Sequence, residues 1–265
     1  MNSHSVERAH ELCSLGKFRE AIEHLQILLS QDVPPIQRAG YLIDQANCYS
    51  ELRQFEDAAR CFADARKLAV DDTMARAQID LCAAQALLAD DRREQGLNAL
   101  SGMLSEYADL FQIDKESREL YEEVQLQRGF SLMHGSEYKD ARPLLEEATS
   151  FQLSQESKSD LHCHLGRCYH ELALHELAKE QFQLARAIGI SEEWNATFHY
   201  CFGYTLYELG EFSNSRRELI LCLQSRAAGP PQKLICGMLA IVSRKLGETD
   251  QARLNEKMAE NGPKD

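Results

Sequence analysis

Apolar residues recur along this chain every three to four positions, the mark of helices with one buried stripe rather than of strands. One stripe runs through Cys48, Tyr49 and Leu52, a second through Ala58, Phe62 and Ala65, with the polar pair Arg53-Gln54 between them. The arrangement then repeats. Small residues stand at Ala21, Ala58, Gly96, Ala141, Ala178, Ser215 and Ala252, at intervals of 37, 38, 45, 37, 37 and 37 residues. Twelve positions before each is another Gly or Ala: Ala9, Ala46, Ala84, Gly129, Gly166, Gly203 and Ala240. Four positions after comes a large apolar residue (Leu25, Phe62, Leu100, Leu145, Phe182, Leu219) until Glu256 breaks the series. An aromatic residue precedes four of the copies by three positions: Phe18, Phe55, Tyr138 and Phe212. Minimal side chains at matched points of two helices let their backbones approach. Each unit therefore predicts a helix, a tight turn and a second helix. Gly16, Gly210 and Gly247 fall in the turns, where a left-handed residue ends the first helix.

A period between twenty and fifty residues signals a repeat array rather than one globular domain. The chain resembles the tetratricopeptide repeat family from about Ser5 to about Ala259. The resemblance is carried best by Ala46/Tyr49/Ala58/Phe62/Ala65, Gly166/Tyr169/Ala178/Phe182/Ala185 and Gly203/Leu206/Phe212/Leu219. It departs from the family in its longer period, against about 34 residues, and in having Leu42, His162 and His199 where the family has tryptophan. The third repeat is weak, with Asp90, Arg93 and Gly96 at apolar, aromatic and alanine positions. The resemblance implies an all-α fold, a right-handed superhelical solenoid of about seven helix-turn-helix repeats. Their expected bounds are 2–35, 39–72, 77–110, 122–155, 159–192, 196–229 and 233–265, forming a single domain over 1–265 with a polar last repeat as cap.

Pro34-Pro35 and Pro230-Pro231 sit where helices are expected to start, since proline lacks only an N–H that is unpaired there anyway. Asp71-Asp72 and Ser191-Glu192-Glu193 suit helix N-termini for their capping oxygens and negative charge. The one long interval, Phe111 to Tyr121, predicts a first helix extended N-terminally by about two turns.

Charge narrows the partners. A formal net charge of −13 with no basic run argues against nucleic acid, whose phosphates are bound by releasing counterions to a basic surface. No apolar run is long enough to span a bilayer, and the first residues lack the apolar core of a secretion signal, so a cytoplasmic protein without membrane attachment is expected. The nine cysteines follow the repeat register, which reads as packing in a reducing compartment rather than as a disulfide framework.

No phosphate-binding, dinucleotide-binding or nucleophile-elbow motif is present, and Glu122-Glu123 and Glu146-Glu147 are helix neighbours that point apart. A catalytic role and a cofactor are not expected. The segment His162-Cys163-His164 to Cys168-Tyr169-His170 holds imidazole and thiol ligands that suit zinc, but in no established spacing, which leaves a metal- or redox-responsive protein as the alternative reading.

In the family it resembles, the first helix of each unit lines a concave groove that receives a peptide or partner segment. Carried onto this chain, that groove includes Asn47, then Phe130 and Met133, then His164, Arg167 and Glu171, then Tyr200, Tyr204 and Tyr207. The three tyrosines share one helical face and neighbour Arg167, so the resemblance implies a scaffold for a peptide with apolar and acidic features. Relatives that hold heat-shock chaperone tails pair lysines with asparagine and arginine. Here Ile43-x-x-x-Asn47 and Gln78-x-x-x-Cys82 lack the lysines, so that ligand is not expected. Self-association is left open by the long segment near Leu120.

Overall fold

The computed structural model describes residues 5–261 apart from residue 228. They form helices and connecting turns, with no strand among the described residues. The chain divides into two compact units, Met1–Ser131 and Leu132–Asp265. The first holds α1 (Val6–Ser14), α2 (Phe18–Leu29), α3 (Pro35–Glu51), α4 (Phe55–Leu68), α5 (Thr73–Ala89) and α6 (Arg93–Glu106). The division falls within α7 (Lys115–His134). The second unit continues through α8 (Tyr138–Ala148), α9 (Gln155–Glu171), α10 (His175–Ile188), α11 (Asn195–Glu208), α12 (Phe212–Gln224), α13 (Gln232–Lys245) and α14 (Thr249–Asn261).

The paired small residues do what their spacing predicts. Ala9, Ala21, Ala46, Ala58, Ala84 and Ala178 are completely buried where the two helices of a pair meet. A methyl group added to Gly166 would come within 2.9 Å of the Phe182 ring, and one added to Gly203 within 3.0 Å of Leu219. The apolar stripe packs on that seam: Leu25, Phe62, Leu100, Leu145, Phe182 and Leu219 are all buried.

Every helix pair turns on one left-handed residue: Gly16, Arg53, Asp91, Ser136, Ala173, Gly210 and Gly247. These positions repeat the small-residue intervals, so the hairpin is a fixed body and length variation falls between hairpins. Four of the seven carry a side chain in a conformation that L-residues enter at a cost of about 1–2 kcal/mol.

Helix starts follow local chemistry. Pro35 occupies the first turn of α3 and Pro231 immediately precedes α13. The Asp72 carboxylate accepts from the Ala75 N–H and caps α5. Ser191 does not open a helix: it accepts from Trp194 N–H at 3.4 Å in a preceding turn, and α11 begins at Asn195. The long interval is also corrected. α7 has 20 residues against 17 in α3, α5 and α9, less than one turn more. The remaining insertion is a short 3-10 turn, Leu110–Gln112, whose Phe111 ring is buried against Tyr107 and Tyr121 at centroid distances of 6.4 and 5.6 Å. Burying that ring outweighs projecting two turns of helix into water. Asp114 and Ser117 then start α7 with reciprocal caps of 2.9 and 3.1 Å.

Candidate partner-binding surface on α9 and α11

Six of the residues singled out by the repeat register lie on α9 and α11, which are in contact. Tyr200, Tyr204 and Tyr207 occupy one face of α11 and all three are half-buried. Tyr200 and Tyr207 rest one side on the core formed by Ala196, Leu219, Cys222, Ile235, Leu239 and Val242. The tyrosines therefore serve packing and present a surface at once, as a ring with an apolar body and a polar tip allows.

They belong to a continuous aromatic row. The Tyr204 ring lies 4.8 Å from His170 and 6.3 Å from Tyr207, and Tyr207 lies 5.7 Å from Phe212. At the other end His170 meets His175 at 5.4 Å. Thr205 Oγ1 donates to the Cys201 carbonyl at 2.9 Å and contacts His170 Nδ1 at 3.0 Å. A hydroxyl has one proton to give, so both bonds hold together when Nδ1–H donates and Nε2 is the acceptor. Burial, then the neighbouring His175, lowers the His170 pKa to about 4, so its ring is neutral at ordinary pH.

Arg167 is half-buried on α9, and among the described residues no ion pair joins it to a carboxylate within 4 Å. Its charge is felt at Cys201 and His164. Glu171, one turn further along α9, is exposed and acts on Tyr200. Burial is the first cause that raises the Tyr200 hydroxyl, so that group stays protonated and able to donate. The arrangement offers one uncompensated guanidinium, hydroxyl donors and aromatic faces.

Two expected contact residues are corrected. Met133 is 0% exposed and His164 is 6% exposed, so both fill the interior and neither can meet a partner. His164 lies between His134 at 5.9 Å and the indole of Trp194 at 4.5 Å, and burial drives its pKa down to about 3. In the first unit, Asn47 is exposed on α3 and Phe130 half-buried on α7.

The His/Cys segment does not converge. His162 Nδ1 pairs with Gln181 at 2.7 Å, Cys163 is buried, and Cys168 Sγ donates to the Tyr138 carbonyl at 3.3 Å. Each side chain faces a different neighbour. Among the described residues no group of three or more His, Cys, Asp or Glu is placed to hold a metal.

Sequence reasoning missed Trp194, which sits in the α10–α11 connection, and a set of ion pairs between successive hairpins. Lys179 reaches Glu211, and Arg216 reaches Glu248, each from the second helix of one pair to the turn of the next. Opposite charges recurring 32 residues apart were the available signal. Glu218, 4% exposed, receives both Arg186 and His199, the latter at 2.9 Å, and Arg186 lies over the Phe198 and Phe202 rings at 5.3 and 4.8 Å. Burial works to raise the Glu218 carboxyl. Hydrogen bonds from His199 and Arg186, with their charges, outweigh it and hold the pKa below the ordinary value.

No protein-family model and no curated protein matches this chain. Solved structures do match it in fold. PilF of Pseudomonas aeruginosa superposes with a TM-score of 0.65 at 15% identity, over 87% of this chain and 95% of that one. The apo form of RapI gives 0.63 at 15% identity, over 96% and 94%. YrrB, a TPR protein with an unusual peptide-binding site, gives 0.52 at 17% identity, over 79% and 92%.

Proposed function

This chain has the fold of a tetratricopeptide-like repeat protein, and from that we propose that it acts by holding a partner rather than by catalysis. The partner is a peptide or an extended protein segment laid across α9 and α11. The observation that carries this reading is Arg167, half-buried and without an ion-pair partner within 4 Å, on the helix that contacts the one bearing Tyr200, Tyr204 and Tyr207. A cation kept from water without a counter-ion is ready to take one from a ligand, and Arg clamps a carboxylate with two parallel bonds. Half-buried tyrosines add apolar area at low entropic cost, which is why they recur among residues that dominate binding energy. The expected ligand has an acidic side chain or chain end flanked by apolar residues. YrrB, whose description includes a peptide-binding site, supports the class of ligand and not the place.

The test starts with capture of partners from the native lysate by wild type and by an Arg167→Ala/Tyr204→Ala variant, followed by titration of the captured segment as a synthetic peptide. Loss of both contacts is expected to weaken that peptide by about a hundredfold, roughly 3 kcal/mol. A peptide bound equally by both proteins, with both equally folded, would remove α9 and α11 from the binding role.

A further inference from the structure

Between α4 and α5, in the first unit, the surface opens into a pocket of about 230 Å³. Its walls are Ala59, Phe62 and Ala63 from α4 and Ile79 and Ala83 from α5, with the Arg66 guanidinium at the mouth. The register of the repeats explains why it is there. Ala58 and Gly96 stand where Ala178 and Ser215 stand in the second unit, so Phe62, Arg66, Ile79 and Ala83 correspond to Phe182, Arg186, Phe198 and Phe202. In the second unit the Phe202 ring lies 5.5 Å from Phe182 and 5.7 Å from Phe198, beneath Arg186 at 4.8 Å. The counterparts of those three neighbours all line the α4–α5 pocket. Two rings differ: Ile79 replaces Phe198 in the wall, and position 83 carries only a methyl group where the Phe202 ring stands.

We propose that this pocket binds an uncharged aromatic side chain, phenylalanine or tyrosine, of a partner protein segment. It is separate from the α9–α11 surface and does not depend on it. Size agrees, since an apolar cavity of about 150 Å³ already admits benzene. Charge at the mouth agrees as well. Arg66 is held by Asp80 at 2.8 Å and by Glu106 at 2.9 Å, and Arg92 stands 3.9 Å from Asp90, so the rim is self-neutralised and complements a neutral group. The flat face of a paired guanidinium can still lie over a ring, as Arg186 does on Phe202 while bound to Glu218. The wall cannot easily fold in: Asp80 is pinned by Arg66 and by the Tyr107 hydroxyl at 2.5 Å.

The experiment follows the methyl signals of Ala59, Ala63 and Ala83 by NMR on the full chain, titrated with N-acetyl-phenylalanine amide, N-acetyl-alanine amide and toluene. The phenylalanine probe is expected to shift those methyls saturably and to bind about tenfold more tightly than the alanine probe. Ala83→Phe supplies the ring from within. It is expected to raise the unfolding midpoint and abolish the shifts. Ala63→Gln, which copies Gln183, is expected to keep the fold and weaken the probe about tenfold, and it stands in if the larger substitution fails to fold. Equal binding of the phenylalanine and alanine probes would overturn the proposal. So would retained binding in a folded Ala83→Phe or Ala63→Gln chain. Toluene binding about tenfold tighter than the blocked amino acid would assign the pocket to a free small molecule instead.

Discussion

Between α10 and α11 the ring of Phe202 is packed on Phe182 and Phe198 beneath Arg186; between α4 and α5, Ala83 stands at the same register beneath Arg66. The charges diverge too. Arg186 turns to a buried glutamate that also holds His199, whereas Arg66 is shared by Asp80 and Glu106 nearer to water. Lys179 ties its hairpin to the next turn through Glu211, and the matching positions in the first unit are Ala59 and Arg92, which cannot pair. The hairpins that flank the two junctions nonetheless share one frame. Ala58 and Ala84, like Ala178 and Gly203, fix the seam of each hairpin, and the left-handed turns fix its ends. A repeat can therefore lose a ring at one junction and keep a hole, where a globular core would tend to close around the loss.

The largest expected effect comes from erasing the difference in the filled junction. Phe202→Ala should cost about 3–5 kcal/mol in urea unfolding, because it removes the ring and leaves a cavity between seams that do not relax. A loss under about 1 kcal/mol would mean that the junction collapses after all, and the comparison with Ala83 would fail. Glu218→Gln comes next, at about 2 kcal/mol, since Arg186 and His199 lose a charged hydrogen-bond partner. Its pH signature separates charge from packing. The folded Glu218 pKa lies below 4.5, so the carboxylate stabilises the fold above that pH and the contribution is lost as the pH falls below it. The glutamine variant should lack this component of acid unfolding, and an unchanged acid limb would show that the pair contributes nothing. The smallest effect should be common to both junctions. Arg53 and Ala173 hold equivalent left-handed turns, so Arg53→Gly and Ala173→Gly should each stabilise by about 1 kcal/mol, read as a shift of the thermal midpoint.

The hairpins were legible in the sequence because their constraint is positional. Seven seams that each require a small residue leave a spacing that survives every change of the other side chains. The turns were half legible. Gly16, Gly210 and Gly247 announce a positive φ, but Arg53, Asp91, Ser136 and Ala173 adopt it because the flanking helices impose it, and no local preference reveals that. The insertion is illegible for a similar reason: the long interval predicts a longer α7, and only the burial of Phe111 against Tyr107 and Tyr121 explains the 3-10 turn. On the candidate surface, the tyrosine face and Arg167 could be read from register. The enclosure of Met133 and His164 could not, since it depends on side chains from other parts of the fold, as Trp194 does for His164. The α4–α5 pocket was hidden most completely, because an absent ring is visible only when Ala83 is set beside Phe202.

The single indole of this chain has a practical consequence. Trp194 belongs wholly to the second unit and stacks edge-on to His164. Tryptophan emission therefore reports on that unit alone, whereas the tyrosines, spread over both, report on the whole chain. Melting curves recorded through the two chromophores on one sample would show whether the units come apart together or in turn. The protein carries its own optical label for that question, with no dye to attach and no residue to replace.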